Sequence, residues 1–152
     1  MKVQDVMTSS PVACAPATTL AVAAQLLFEG DCGVLPVTSD DSLVGVVTDR
    51  DLFIALGTSD RTASQLTVGE VMVPRPWTCG PDDDVRVALA LMRDHRIRRV
   101  PVVGARNRLL GIVSMNDLLL AAGPSGGVRS EAVIDALQEI CAHHQPLVAT
   151  GK

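Results

Sequence analysis

The stretch Leu43 to Leu52, L-V-G-V-V-T-D-R-D-L, returns 66 residues later as Leu109 to Leu118, L-L-G-I-V-S-M-N-D-L. Each copy is a short apolar run broken by one glycine, then a hydroxyl residue, two variable positions, an aspartate and a leucine. The run has the length and β-branched content of a buried strand. Thr48 or Ser114 stands where a helix N-cap stands, with Asp51 or Asp117 three residues on. Two copies in one small chain signal a duplicated unit.

The repeat extends upstream. Val3 to Val37 lies on Val68 to Val102 at a constant offset of 65, with identities at Val3, Val6, Met7, Pro11, Cys14, Pro16, Val22, Ala23, Leu26, Pro36 and Val37. Beyond the next loop the offset becomes 66, so the second copy carries one extra residue between its last two strands. Each copy opens with V-Q-D-V-M or V-G-E-V-M, too short for a stable helix, and is expected to dock as a single turn onto its own unit. A brief extended piece runs from Pro11 through Cys14. Leu20, Ala23, Ala24 and Leu27, and again Val85, Ala88, Leu89 and Met92, fall on one helical face. Thr18 or Thr19 can cap the first of these helices, and Asp82, Asp83 and Asp84 suit the positive end of the second.

The segments 33–37 and 98–102 read as strands, in which Pro36 and Pro101 favour an edge position or a bulge. Each unit is therefore strand, helix, strand, strand, helix, with a right-handed βαβ crossover followed by a hairpin. The polar stretch Gly57 to Gln65 separates the units, which gives spans of 1–60 and 66–122. After a break at Gly123 to Gly127, a last helix within 128–144 carries an apolar stripe of Val133, Ile134, Leu137, Ile140 and Cys141, with no counterpart in the first unit.

Composition narrows the class. The 152 residues are 47% hydrophobic but only 2% aromatic, so the core is built from Val, Leu, Ile, Ala and Met. No apolar run approaches the roughly 18 residues that cross a bilayer, and no charged-then-apolar leader opens the chain, so a soluble cytoplasmic protein without membrane partners is expected. Thirteen Lys and Arg against 17 Asp and Glu give a net charge of −4, which argues against a nucleic-acid partner. Cys14, Cys32, Cys79 and Cys141 show no C-x-x-C spacing and read mostly as small buried hydrophobes. Phosphate-loop, dinucleotide-fold, zinc-protease and nucleophile-elbow motifs are all missing, so no catalytic residues are assigned and an enzyme is not expected.

Taken together, the D-V-M and E-V-M openings, the V-L-P-V and R-V-P-V strands, and the G-V-V-T-D-R-D-L and G-I-V-S-M-N-D-L ends resemble a tandem of CBS domains over about residues 1 to 122. The resemblance implies an α/β (α+β) fold of two β-α-β-β-α units packed as a pseudo-twofold pair, here with an added C-terminal helix. It implies a regulatory module, often a homodimer, that binds AMP, ADP, ATP or S-adenosylmethionine in clefts between the units and signals to a regulated protein or through its oligomer. It places the hydroxyl near ligand phosphate and the carboxylate on the ribose diol, roles that fall on Thr48 with Asp51 and on Ser114 with Asp117. Arg98 and Arg99 stand where related modules put basic residues that reach phosphate; the first unit has Gly33 and Val34 there.

Other readings stay open beside these. S/T-x-x-D is also a capping box, in which the motif serves the helix alone and the protein is a structural dimerisation module. His95 and Arg96 suit a solvated helix end as well as a phosphate. Arg50 can pair with Asp49 or Asp51 as readily as with a ligand. Cys141, His143 and His144 raise a metal or redox sensor, although this cluster lacks partners at zinc spacing and no metal ligands are assigned.

Overall fold

The structure, a computed structural model, describes residues 1–123 and 127–142. A 3-10 turn (Val3–Asp5) leads to β1 (Thr8–Ser9), α1 (Leu20–Glu29), β2 (Val34–Ser39), β3 (Ser42–Thr48) and α2 (Asp49–Gly57). The second half repeats this order in α3 (Val68–Val71), β4 (Val73–Pro74), α4 (Val85–His95), β5 (Arg99–Val103), β6 (Leu109–Ser114) and α5 (Met115–Leu120), and α6 (Ser130–Cys141) follows. The mixed α+β architecture of two paired units plus a terminal helix is the one expected. The first strand of each crossover is reduced to a single parallel bridge, Cys14 to Val37 and Cys79 to Val102.

Each unit builds a hairpin. In the first, Asp40 and Asp41 take φ of 49° and 62°, the two left-handed residues of a tight I′-type turn whose twist matches the strands. In the second, the extra residue makes a turn over Ala105–Asn107, with Arg106 and Asn107 left-handed (φ 56° and 60°), that reaches across: Asn107 Nδ2 donates to the Leu43 carbonyl at 2.6 Å, and the Leu109 amide to the Asp41 carbonyl at 3.1 Å. Pro36 and Pro101 sit on the outer strands, next to register shifts at Val37/Thr38 and Val102/Val103.

The opening turns are exchanged, contrary to the expectation that each docks on its own unit. The sheet order is β2-β3-β4 in one unit and β1-β6-β5 in the other, so each sheet takes its third strand from the opposite half of the chain. Val3 is fully buried in the core of the second unit with Val85, Met92 and Val102, and Val68 in that of the first with Leu20, Leu35 and Val47. The Val3 amide donates to Asp83 at 2.8 Å, and the Val68 amide to Thr18 at 2.8 Å. The motif glycines make room for this exchange. A Cβ on Gly45 would lie 2.7 Å from Met72 Sδ and 3.0 Å from the Val73 carbonyl; on Gly111 it would lie 2.6 Å from Met7 Sδ and 2.9 Å from the Thr8 carbonyl.

Burial follows the helical pattern with two departures. Leu20, Ala23 and Leu27 of α1 are buried but Ala24 is exposed, whereas its counterpart Leu89 is covered because α6 packs on α4. Within α6 the buried residues are Val133 and Ala136, with Leu137 and Ile140 packed at the margin; Ile134 and Cys141 of the expected stripe are exposed. The small Ala136 takes the inner position, where two helices approach closely.

Gly45→Val and Gly111→Val are expected to cost about 1–3 kcal/mol each in urea unfolding, since the new side chain must displace a methionine and a backbone carbonyl. Gly57→Ala, at a position with nothing within 4 Å, serves as the neutral control.

Candidate functional site

Thr48 leaves β3 in extended conformation (φ −115°, ψ 162°) and caps α2. Its Oγ1 accepts from the Asp51 amide at 3.2 Å, while Asp51 Oδ2 accepts from the Thr48 amide at 2.8 Å and the Thr48 hydroxyl at 2.7 Å. Ser114 and Asp117 repeat this reciprocal box at the start of α5, with 3.2, 2.7 and 2.7 Å. Both motifs therefore cap their helices. Each box uses one carboxylate oxygen and fixes the orientation of the other, Oδ1, which accepts no hydrogen bond among the described residues.

The first box borders a cleft between the units. A cavity of about 380 Å³ is lined by Gly33, Val34, Val46 and Thr48 to Asp51 from one unit. Val73, Pro76, Trp77, Arg96 to Arg99, Pro101 and Ile112 come from the following half of the chain. Thr48, Asp51, Arg98 and Arg99 are thus brought together, whereas Ser114 and Asp117 do not line this cleft.

The arginines are placed by how α4 ends. Arg96 takes the left-handed conformation (φ 53°), the Arg96 amide bonds back to Arg93 at 3.3 Å and the Ile97 amide to Met92 at 3.0 Å, which closes the helix in a Schellman turn. A left-handed residue other than glycine costs about 1 kcal/mol. The turn throws residues 96 to 99 across the mouth of the cleft. Arg98 is then tied through its carbonyl to the Met115 amide at 2.9 Å, and Arg99 opens β5. The Arg99 guanidinium lies over Gly33: a Cβ there would stand 3.6 Å from Arg99 Nη2 and 3.2 Å from Asp49 Oδ2.

Charge in the cleft is uneven. Arg50, Arg96, Arg98 and Arg99 face Asp49 and Asp51. Among the described residues Arg50, Arg98 and Arg99 make no ion pair, so the surface pairing open to Arg50 is not formed. Guanidinium groups arranged in this way offer bidentate contacts to phosphate, and the oriented carboxylate offers an acceptor to a diol.

Sequence reasoning did not single out Asp49, Ile97 or Trp77. The Trp77 ring stacks on His95, with centroids 3.8 Å apart and planes 8° from parallel. A lone tryptophan has no periodicity to reveal it; its rarity in a chain that is 2% aromatic is the one available signal. Cys14 and Cys79 are buried, and burial pushes both thiols up to about 11, so they stay protonated at neutral pH. No group of three or more His, Cys, Asp or Glu among the described residues is placed to hold a metal, and His143 and His144 lie outside those residues.

A family model for the CBS domain matches residues 3–58 and 68–123. Hypoxic response protein 1 of Mycobacterium tuberculosis is 32% identical over 142 residues, covering 91% of this chain and 92% of that one. A crystal structure of hypoxic response protein I with two coordinated zinc ions superposes with a TM-score of 0.74 at 31% identity, covering 81% of this chain and 100% of that one. The CBS domain pair of protein MJ0100, in complex with 5-methylthioadenosine and S-adenosyl-L-methionine, gives 0.70 at 27% identity over 78% and 92% of the two chains. CBSX2 in complex with AMP gives 0.68 at 30% identity over 79% and 94%.

Two outcomes follow from the geometry. Asp51→Ala and Asp117→Ala should each lower unfolding stability by about 1 kcal/mol, as for a lost cap, in denaturant titrations. In native protein a thiol reagent at pH 7.5 should modify exposed Cys141 first and leave Cys14 and Cys79 protected until unfolding, as read by peptide mass spectrometry.

Proposed function

Because the chain belongs to the CBS-domain family, we propose that it is a regulatory module that senses an adenine nucleotide in the cleft between its two units. The carrying observation is that the cleft joins the Thr48/Asp51 box of one unit to Arg98 and Arg99 of the other. In this reading Asp51 Oδ1 accepts from the ribose diol and the Thr48 end of α2, the positive end of the helix dipole, faces the phosphates. Arg98, Arg99 and Arg50 neutralise them. The complexes of MJ0100 and CBSX2 with adenosine-containing ligands support the ligand class.

The charge balance selects within that class. Arg50, Arg98 and Arg99 against two carboxylates favour AMP, ADP or ATP over S-adenosylmethionine, whose sulfonium adds positive charge to an already cationic cleft. Ser114 and Asp117 are proposed as the second, weaker site of the pair. The units span 1–60 and 66–122, and α6 (Ser130–Cys141) braces the second of them. Signalling passes to a partner protein or through a cytoplasmic homodimer, for which Phe53 and Leu120, at 77% and 86% exposure on α2 and α5, offer apolar surface. The second reading, a dimerisation module without nucleotide, is favoured by the fully formed capping boxes, which give both motifs a structural use.

A thermal-shift panel separates the two. A nucleotide at a hundredfold excess over its Kd should raise the melting temperature by about 5–10 °C, while S-adenosylmethionine gives little shift. Arg98→Ala with Arg99→Ala should abolish the nucleotide shift at nearly unchanged unliganded stability. No shift with any nucleotide at millimolar concentration rejects the sensor and leaves the dimerisation module.

A further inference from the structure

Trp77 and His95 form an aromatic pair at the cleft to which the reading above gives no role. The indole lines the same cavity as Asp51 and Arg99. It is 54% exposed, so the stack on His95 covers one face without burying the ring. The chain around it is stiff. Pro74 and Pro76 fix φ at two of the three preceding positions. Pro74 pairs with Gly45 across the sheet, and the Arg75 amide donates to the Val44 carbonyl at 3.3 Å. His95, the last residue of α4, is held by the left-handed closure at Arg96. The ring is thus positioned before a ligand arrives, which lowers the ordering cost of binding.

The other half of the repeat lacks this pair. At the offset of 65, Val12 and Gly30 stand where Trp77 and His95 stand. They are also neighbours, since a Cβ on Gly30 would lie 3.5 Å from Val12 Cγ2. The fold brings the same two positions together in both halves and fills them with rings in one.

We propose that the Trp77–His95 stack is a base platform, which receives the adenine ring of a nucleotide in the Thr48/Asp51 cleft and makes that cleft the preferred site of the pair. The proposal rests on the nucleotide reading. A purine laid on an indole gains dispersion and offset-stacking energy that a valine side chain does not match. His95 behind the ring limits its rotation. With the ribose at Asp51 and phosphate at Arg98 and Arg99, the base completes a three-point recognition in which Trp77 reports on the base alone.

Calorimetry and indole fluorescence on the full chain test this, with AMP and ribose 5-phosphate as probes. Emission comes from Trp77 only, because the chain has one tryptophan, and should change saturably with AMP but not with ribose 5-phosphate. The tight phase should contain one AMP per chain. Trp77→Ala should weaken AMP roughly ten- to a hundredfold while moving ribose 5-phosphate by less than about twofold, and Trp77→Phe should retain most of the AMP affinity. Unchanged melting of the unliganded variants verifies that they fold. An equal loss for both probes, or an unaltered AMP affinity in Trp77→Ala, overturns the platform and leaves the nucleotide reading standing. A wild-type chain that binds neither probe overturns both.

Discussion

Two glycines set against two methionines hold the molecule in one piece. Gly45 and Gly111 leave room on the middle strand of each sheet for Met72 and Met7, and with them for a strand from the opposite half. Units of about 60 residues bury too little surface to be stable alone. The exchange meets that shortage by placing Val3 in one core and Val68 in the other, both without solvent exposure. It also forces the halves to share an edge, and the cleft is a result of that sharing: the end of α4 and the start of β5 come to rest against the start of α2.

The candidate site is made from a device that the fold already uses. Asp51 Oδ2 is committed to capping α2, and that commitment aims Oδ1. A capping role and a binding role are therefore compatible within one carboxylate. The arrangement is less economical on the arginine side, where Arg96 holds a left-handed conformation that glycine adopts at no such cost. An arginine at this turn keeps the helix end closed while adding a cation to the cleft.

Much of this was legible in the residues. The repeat, the strands around Pro36 and Pro101, the hairpins and the two amphipathic helices followed from period, length and turn chemistry. The exchange was not, because V-x-x-V-M is the same in both copies and nothing local says whose core receives it. The stripe assigned to the last helix included Ile134 and Cys141, which are exposed, and passed over Ala136. Hydrophobicity ranks isoleucine above alanine, but close helix packing favours the smaller side chain. Ala24 was assigned to a buried face that exists only where α6 covers it. Of the candidate site, Thr48 and Asp51 were marked by their own motif, and the resemblance drew attention to Arg98 and Arg99. Trp77 had neither a repeat partner nor a period to mark it.

Crossing of the opening segments also constrains how the chain is made. Translation delivers Val3 long before Val85 and Val102 exist to receive it, and the first sheet stays one strand short until Pro74 has left the ribosome. Neither half is therefore a finished body during synthesis, and a cut in the polar stretch at 57–65 would yield two fragments still threaded through each other's sheets. Duplication here produced one indivisible object from two copies of a piece, so distortion begun in either half is carried into the other by strands they jointly own.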